Sequence, residues 1–253
     1  MVNCYVISLE EAKSRREHIK AEFGKHSVDF HFFDAVTPKD NEAGLQYFNI
    51  NDSQVSKLKK TELACLLSHL WVWQKAIDKN LDFIGVFEDD IYLGSEVATL
   101  FKDTQWLINI DVLKLEKFHN KVELSLSGLR VNNTDRKLYE ILGKNLGTAG
   151  YILSKKGCLY MNNYIKNLEY ISPIDIVMFD QIKYSKSLNI YQMQPAIVIQ
   201  DSILNKDDIR FASTIDHNAE KVKLEDNLPF NNKFKRELDR LIRSLRMRQL
   251  GFK

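Results

Sequence analysis

Three cysteines, Cys4, Cys65 and Cys158, are odd in number and widely scattered along 253 residues. They fit buried thiols in a reducing compartment better than a disulfide or zinc framework. Long apolar runs are also lacking. The longest, such as 63-LACLL-67 and 196-AIVI-199, fall far short of a membrane span. The N-terminus, MVNCYVISLEEAK, has no basic leader, no extended apolar centre and no small-residue cleavage site, which argues against export. There is no Gly-x-Gly-x-x-Gly, so a dinucleotide-binding reading is weak. No repeat, low-complexity tract or strong internal boundary stands out. What remains is an ordinary soluble composition, 44% hydrophobic and 28% charged, of a length that suits one α/β domain with at most a small annex.

The net charge of +2 conceals an uneven distribution. Residues 231–253 hold eight Lys and Arg against two acids, which leaves 28 basic and 32 acidic side chains for the rest. The body, 1–230, is therefore mildly acidic and the tail basic. In the tail, Phe234, Leu238, Leu241, Ile242 and Leu245 follow a helical spacing among arginines. Such a helix suits either an anionic membrane interface or packing on its own domain with the basic side outward. Nucleic acid is not an expected partner, because the body is acidic and no reader motif is present.

Along the body, strands are expected at 3–8, 28–33, 83–88, 112–118, 122–127, 149–154 and 196–200. Helices are expected from Ser8, through a capping-box spacing, from Thr61 to about Asn80, near 95–104, from Lys155 to Tyr164 and from Asp175 to about Leu188. Residues 37–60 read as polar loop. Alternation of this kind predicts a mixed, mostly parallel sheet with helices on both faces. In such sheets ligands sit beyond the carboxyl ends of the strands.

One strand ends unusually. The stretch 83-FIGVFEDDIYLG-94 runs from apolar residues into Glu88, Asp89 and Asp90. An unpaired buried charge costs several kcal/mol, so the acids do not belong in the core itself. At the strand's end they would meet the ligand crevice. Three adjacent carboxylates are tolerable around Mg²⁺ or Mn²⁺, which prefer oxygen ligands and retain positions for substrate phosphates. The alternative is that the triplet merely caps the strand and starts a turn.

The segments 1-MVNCYVISLEEAKSRREHI-19, 32-FFDAVTP-38, 62-ELACLLSHLWVWQKAI-77, 81-LDFIGVFEDDIYLG-94, 147-GTAGYILSKKG-157, 173-PIDIVMFD-180 and 191-YQMQPAIVIQ-200 together resemble glycosyltransferase family 25. The resemblance implies a GT-A-like α/β domain, a nucleotide-sugar donor, usually Mn²⁺, and an inverted, β-linked product on lipopolysaccharide or lipooligosaccharide. Galactose from UDP-galactose is the expected donor chemistry. UDP-glucose or a UDP-N-acetylhexosamine is the alternative, as is a non-catalytic nucleotide-sugar binding module. The acceptor is expected to be a lipid-linked oligosaccharide at the inner face of the cytoplasmic membrane.

Carried over residue by residue, the acid triplet takes the Asp-x-Asp-like position. Asp90 is the first metal ligand, Glu88 a second, and Glu88 or Asp89 an alternative ribose contact. Gln200 is a candidate third ligand, with Asp201 and then His217 behind it. Ser8, Leu9 and Arg15, closed by Asp34, look like the uridine site, and Arg16 lies about 100° round the helix from Arg15. Ser68-His69 matches the family's Ser-His pair. Without the resemblance, His69 reads as a satisfied, partly buried histidine. Gly147-Thr148 would let backbone approach the sugar, or would simply open the next strand tightly. Asp175, after Ser172-Pro173, is the candidate general base and Asp180 the fallback. Where relatives often carry His after this Asp, the chain has Ile176.

Overall fold

The computed structural model describes residues 1–131, 133–211 and 233–253, with side chains from 240 onward in the last stretch. In chain order the first elements are β1 (Asn3–Ser8), α1 (Lys13–Lys25), β2 (Phe30–Asp34), α2 (Asn41–Phe48), α3 (Asp52–Val55), α4 (Lys60–Asp78), β3 (Phe83–Glu88), β4 (Ile91–Leu93) and α5 (Val97–Lys102). There follow β5 (Val112–Lys114), β6 (Glu116–Lys117), β7 (Lys121–Glu123), β8 (Leu129–Arg130), β9 (Lys137–Glu140), β10 (Gly150–Ser154) and α6 (Lys155–Lys166). The last elements are α7 (Ile174–Ile176), β11 (Ile190–Gln194), β12 (Val198–Gln200), α8 (Asp201–Leu204), α9 (Lys233–Arg246) and β13 (Met247–Gln249).

An eight-stranded sheet in the order β2-β1-β3-β10-β5-β11-β9-β8 forms the centre. The pairings set β10 and β9 against the other six strands. The sheet is thus mixed but mostly of one direction, with helices on both faces, as the pattern predicts. Side chains alternate between two cores. Tyr5, Ile84, Val86, Tyr151 and Leu153 face the core under α4 and α6. Cys4, Val6, Phe87 and Ile152 face the core with Ile19 and Phe23 of α1 and Leu100 and Phe101 of α5. Strands buried on both faces in this way are apolar along most of their length.

Several expectations need correction. Ser8 does not cap a helix. It closes β1, and α1 begins at Lys13 without a side-chain cap. The polar stretch 37–60 contains α2 and α3, anchored by Leu45, Phe48, Ile50 and Val55. Gly44 lets α2 close on α4, because a Cβ there would stand 2.8 Å from Leu67. The helix expected from Asp175 is one α-turn followed by wider and tighter turns that end at Lys186 in the left-handed region.

The strand expected over 112–118 breaks at Leu115. β5 stays in the main sheet, while β6 joins a three-stranded sheet in the order β4-β12-β6. β3 does the same: it ends at Glu88, and β4 starts in the small sheet at Ile91. The acid triplet therefore occupies the seam where one sheet hands the chain to the other.

The basic tail returns to the body. After α9, β13 pairs antiparallel with β7, and Phe252 bridges Ala196. Arg136, almost wholly buried, donates to the carbonyls of Ser95, Pro195 and Lys253 and pairs with Glu96 at 3.3 Å. Replacing it strands several acceptors at once. Arg136→Leu is expected to lower stability by about 3 kcal/mol or more in denaturant titration.

Candidate active site

Parallel pairing sets the carboxyl ends of β2, β1 and β3 side by side: Ser8 is opposite Asp34, and Ile7 opposite Glu88. The Ser8 hydroxyl donates to Asp89 Oδ2 at 2.6 Å. Arg15 Nη1 donates to Asp89 Oδ1 at 2.5 Å and stands 4.0 Å from Asp90 Oδ2. Arg16 takes a different partner, Asp34, and donates to the carbonyls of Ser8 and Leu9. The 100° offset between the two arginines thus divides their work. Arg15 serves the acid triplet, and Arg16 ties the β1–α1 loop to the end of β2.

The three acids are not equivalent. Asp89 is neutralised by Arg15 and Ser8. Glu88 accepts from Thr148 Oγ1 at 2.9 Å and has Gln200 Nε2 at 3.5 Å. Burial, with the neighbouring charges of Asp90 and Glu116 adding to it, pushes the Glu88 carboxyl up to about 8. Asp90 is 7% exposed, and its Oδ1 has no hydrogen-bond partner. Burial raises it to about 7 against the opposing pull of Arg15. The surroundings thus oppose ionising Glu88 and Asp90 together.

Other candidates fall in distinct places. Gln200 and Thr148 join Glu88. Asp201 is fully buried, and both its oxygens are committed: Oδ1 to Tyr92 and Asn205, Oδ2 to the backbone N–H groups of Arg210 and Phe211. Burial works against its charged form, but these hydrogen bonds prevail and its pKa is lowered. His217 lies outside the described residues. Asp175 is half-buried at the start of α7, accepts from the Ile176 N–H at 2.8 Å, and acts electrostatically on Lys114 and Glu116. Asp180 is paired with Lys183 at 2.8 Å.

Ser68 receives the Val36 N–H at 2.9 Å and so fixes the loop after β2. His69 is wholly buried. Its Nδ1 shares a 2.6 Å hydrogen bond with the Tyr151 hydroxyl, which also accepts from Trp73 Nε1. Between the β1–α1 loop, the end of β2 and α4 lies a cleft of about 500 Å³, lined among others by Glu10, Glu11, Phe33, Asp34, Thr37 and Trp71.

Two residues that carry no role in the sequence reading are central here. Lys114 and Glu116, both wholly buried at the seam, pair at 3.1 Å. The signal was present in 112-VLKLEKF-118, where charges interrupt an apolar strand on one face, but the segment reads simply as a strand. Glu116 also accounts for Gly147, which has φ +96°. A Cβ there would lie 2.7 Å from Glu116 Oε2, so the space beside Gly147 belongs to a carboxylate of the protein itself.

With this geometry in place, the comparisons decide the family. Residues 1–178 match glycosyltransferase family 25, described as LPS biosynthesis protein. The chain belongs to glycosyltransferase family 25. The chain is 31% identical to the lipooligosaccharide biosynthesis protein lic2B of Haemophilus influenzae, over 86% of this chain and 83% of that protein. It is 32% identical to the lacto-N-neotetraose biosynthesis glycosyltransferase LgtB of Neisseria meningitidis, over 78% of this chain and 74% of the relative. A crystal structure of a glycosyltransferase involved in the glycosylation of the major capsid of PBCV-1 aligns over 79% of this chain and 93% of that one. Its TM-score is 0.42 and its identity 11%, and this distant likeness carries no argument. The family 25 chain is a glycosyltransferase of lipopolysaccharide and lipooligosaccharide biosynthesis, built on an α/β core.

Burial lowers the His69 pKa to about 3, so the ring is neutral in the fold and charges only on unfolding. Its contribution to stability is complete above about pH 6.5 and is lost as pH falls towards the folded value. Between pH 7 and pH 5 the wild type is expected to lose about 2 kcal/mol more than His69→Phe, compared by urea titration at both pH values. Equal losses would contradict the neutral, buried histidine.

Proposed function

We propose that the chain is an inverting, metal-dependent galactosyltransferase that moves galactose from UDP-galactose to a lipooligosaccharide acceptor. The observation that carries this reading is the under-compensated Glu88–Asp90 carboxylate pair at the end of β3. It stands beside Arg15 on the α1 side and Thr148 and Gln200 on the other. The cleft between Asp34 and Trp71 gives a nucleoside a partly aromatic, hydrogen-bonding wall at the same sheet edge.

The residues fit Mn²⁺ or Mg²⁺ in one respect: a buried carboxylate oxygen without a partner, beside a second carboxylate, is the donor such ions accept. Among the described residues no three His, Cys, Asp or Glu side chains converge to hold an ion by themselves. Asp90 would hold it, with Glu88 and Gln200 beside it and the donor's phosphates completing the shell, in the manner usual for Mg²⁺. When bound, such an ion supplies Lewis-acid stabilisation of the departing diphosphate.

The protein's own part is positioning and proton transfer. Asp175 takes the proton of the acceptor hydroxyl as its oxygen bonds to the anomeric carbon, and the bond to UDP breaks on the opposite face. Asp180, engaged by Lys183, is held back from that role. On α9, Leu241 and Leu245 are 59% and 64% exposed among Arg240 and Arg243, so these leucines are not packed on the protein's own body. That stripe suits an anionic membrane surface bearing the acceptor. No helix of the described residues is long and apolar enough to cross a membrane.

Asp90→Ala is expected to abolish Mn²⁺-dependent UDP release while the protein stays folded. Asp175→Asn should keep donor binding yet lose about 10²–10⁴-fold in turnover. Full activity of either variant with the true acceptor would remove that residue from its assigned role, and donor binding by wild type with no acceptor-dependent release would mark a binding module instead. Flotation on anionic liposomes should be lost when Leu241 and Leu245 are both replaced by Gln, and identical flotation of that variant would defeat the membrane proposal.

A further inference from the structure

Lys114 and Glu116 are both 0% exposed, and apart from the bond between them their side chains' hydrogen bonds all go to one loop, with Glu116 Oε1 left without a partner. Lys114 Nζ donates to Glu116 Oε2 at 3.1 Å, to Leu146 O at 2.8 Å and to Gly147 O. These are the three bonds an ammonium can make, and its charge also lies over the Phe179 ring at 4.4 Å. Glu116 Oε2 accepts from the Ala149 N–H at 3.1 Å. The loop is thus gripped by its carbonyls before Thr148 and by its N–H after it. Upstream, Asn145 Nδ2 donates to Gln192 Oε1 at 2.7 Å, and Gln192 Nε2 reaches the Glu116 carbonyl at 3.2 Å. The one loop side chain aimed at the acid triplet is that of Thr148, which donates to Glu88 Oε1.

A buried ion pair is poor evidence for stability, since apolar replacements of similar volume often do as well. Its position here accounts for it differently. We infer that Lys114 and Glu116 are positioning residues for sugar transfer, a buried brace that fixes the 146–149 loop and thereby orients the Glu88 carboxylate through Thr148. This deepens the transferase reading and rests on it. Without the brace, Gly147, at φ +96°, would be free to relax, and Glu88 would lose the one hydroxyl bond that fixes its orientation.

The test replaces both charges together, Lys114→Met with Glu116→Leu, because removing one would leave the other buried and unpaired. Glu116→Gln, which keeps the shape, is the milder second variant. The double variant is expected to raise the KM for UDP-galactose about tenfold with acceptor KM unchanged, and Glu116→Gln to shift it in the same direction. In a Thr148→Val background the double replacement should add nothing further to the donor KM, because both changes cut the same path. Additive losses, or a fall in active fraction with donor KM unaltered, would overturn the brace. Amide hydrogen exchange at Thr148 and Ala149 is read in parallel and should accelerate at least about tenfold in the double variant. If wild type consumes no nucleotide sugar, the transferase reading fails by itself. The exchange measurement still decides the brace, and unchanged protection at those two amides would refute it.

Discussion

Everything at this sheet edge depends on negative charge held where the chain crosses from one sheet to another. Glu88 ends the main sheet and Asp90 precedes the small one, so neither can retreat into solvent without breaking a strand. Asp89, between them, has Arg15 and Ser8. The other two have too little positive charge near them, and burial raises both carboxyl pKa values. A fold keeps such a cluster at a cost to its own stability, which on the proposed metal-dependent reading is recovered when a cation binds.

The surrounding architecture holds this cluster rigid by means of other buried charges. Lys114 and Glu116 clamp the loop that delivers Thr148. Asp201, its backbone N–H bonded to the Asp90 carbonyl, gathers the turn ending at Phe211, whose ring lies 5.8 Å from the Arg15 guanidinium. Arg136 ties the last residues of the chain to the segment around Pro195, next to β12. Each is a charge whose hydrogen bonds fix backbone rather than substrate. Polar groups used in this way specify one arrangement of the two sheets, where apolar packing would tolerate several.

Much of this was legible in the sequence. Apolar strands ending in acids, the wide apolar face of 63–77 and the alternation of elements were enough for the sheet and its ligand edge. The acid triplet could be located, but its division of labour could not, because that depends on Arg15 and Ser8 arriving from another strand and helix. α2 and α3 were hidden because four apolar anchors in 37–60 are too few to show a period. Leu115 gives no local sign that the strand breaks there. The break arises from pairing with residues near 150 and 197, far along the chain. For the same reason Lys114 and Glu116 passed as strand residues. His69 is half legible: its local pattern reads as a satisfied, partly buried histidine, whereas the ring is wholly buried, bonded to Tyr151 through Nδ1 and without a partner at Nε2.

Thermal unfolding of wild type and Asp90→Asn, each with and without Mn²⁺ and UDP together, tests the central claim most directly. The account predicts that the ligand-free variant melts above wild type, because one uncompensated charge has been removed. It also predicts that Mn²⁺ with UDP raises wild type past the variant, which gains little. A ligand-free variant melting at or below wild type, or one gaining as much from Mn²⁺ and UDP, would contradict it.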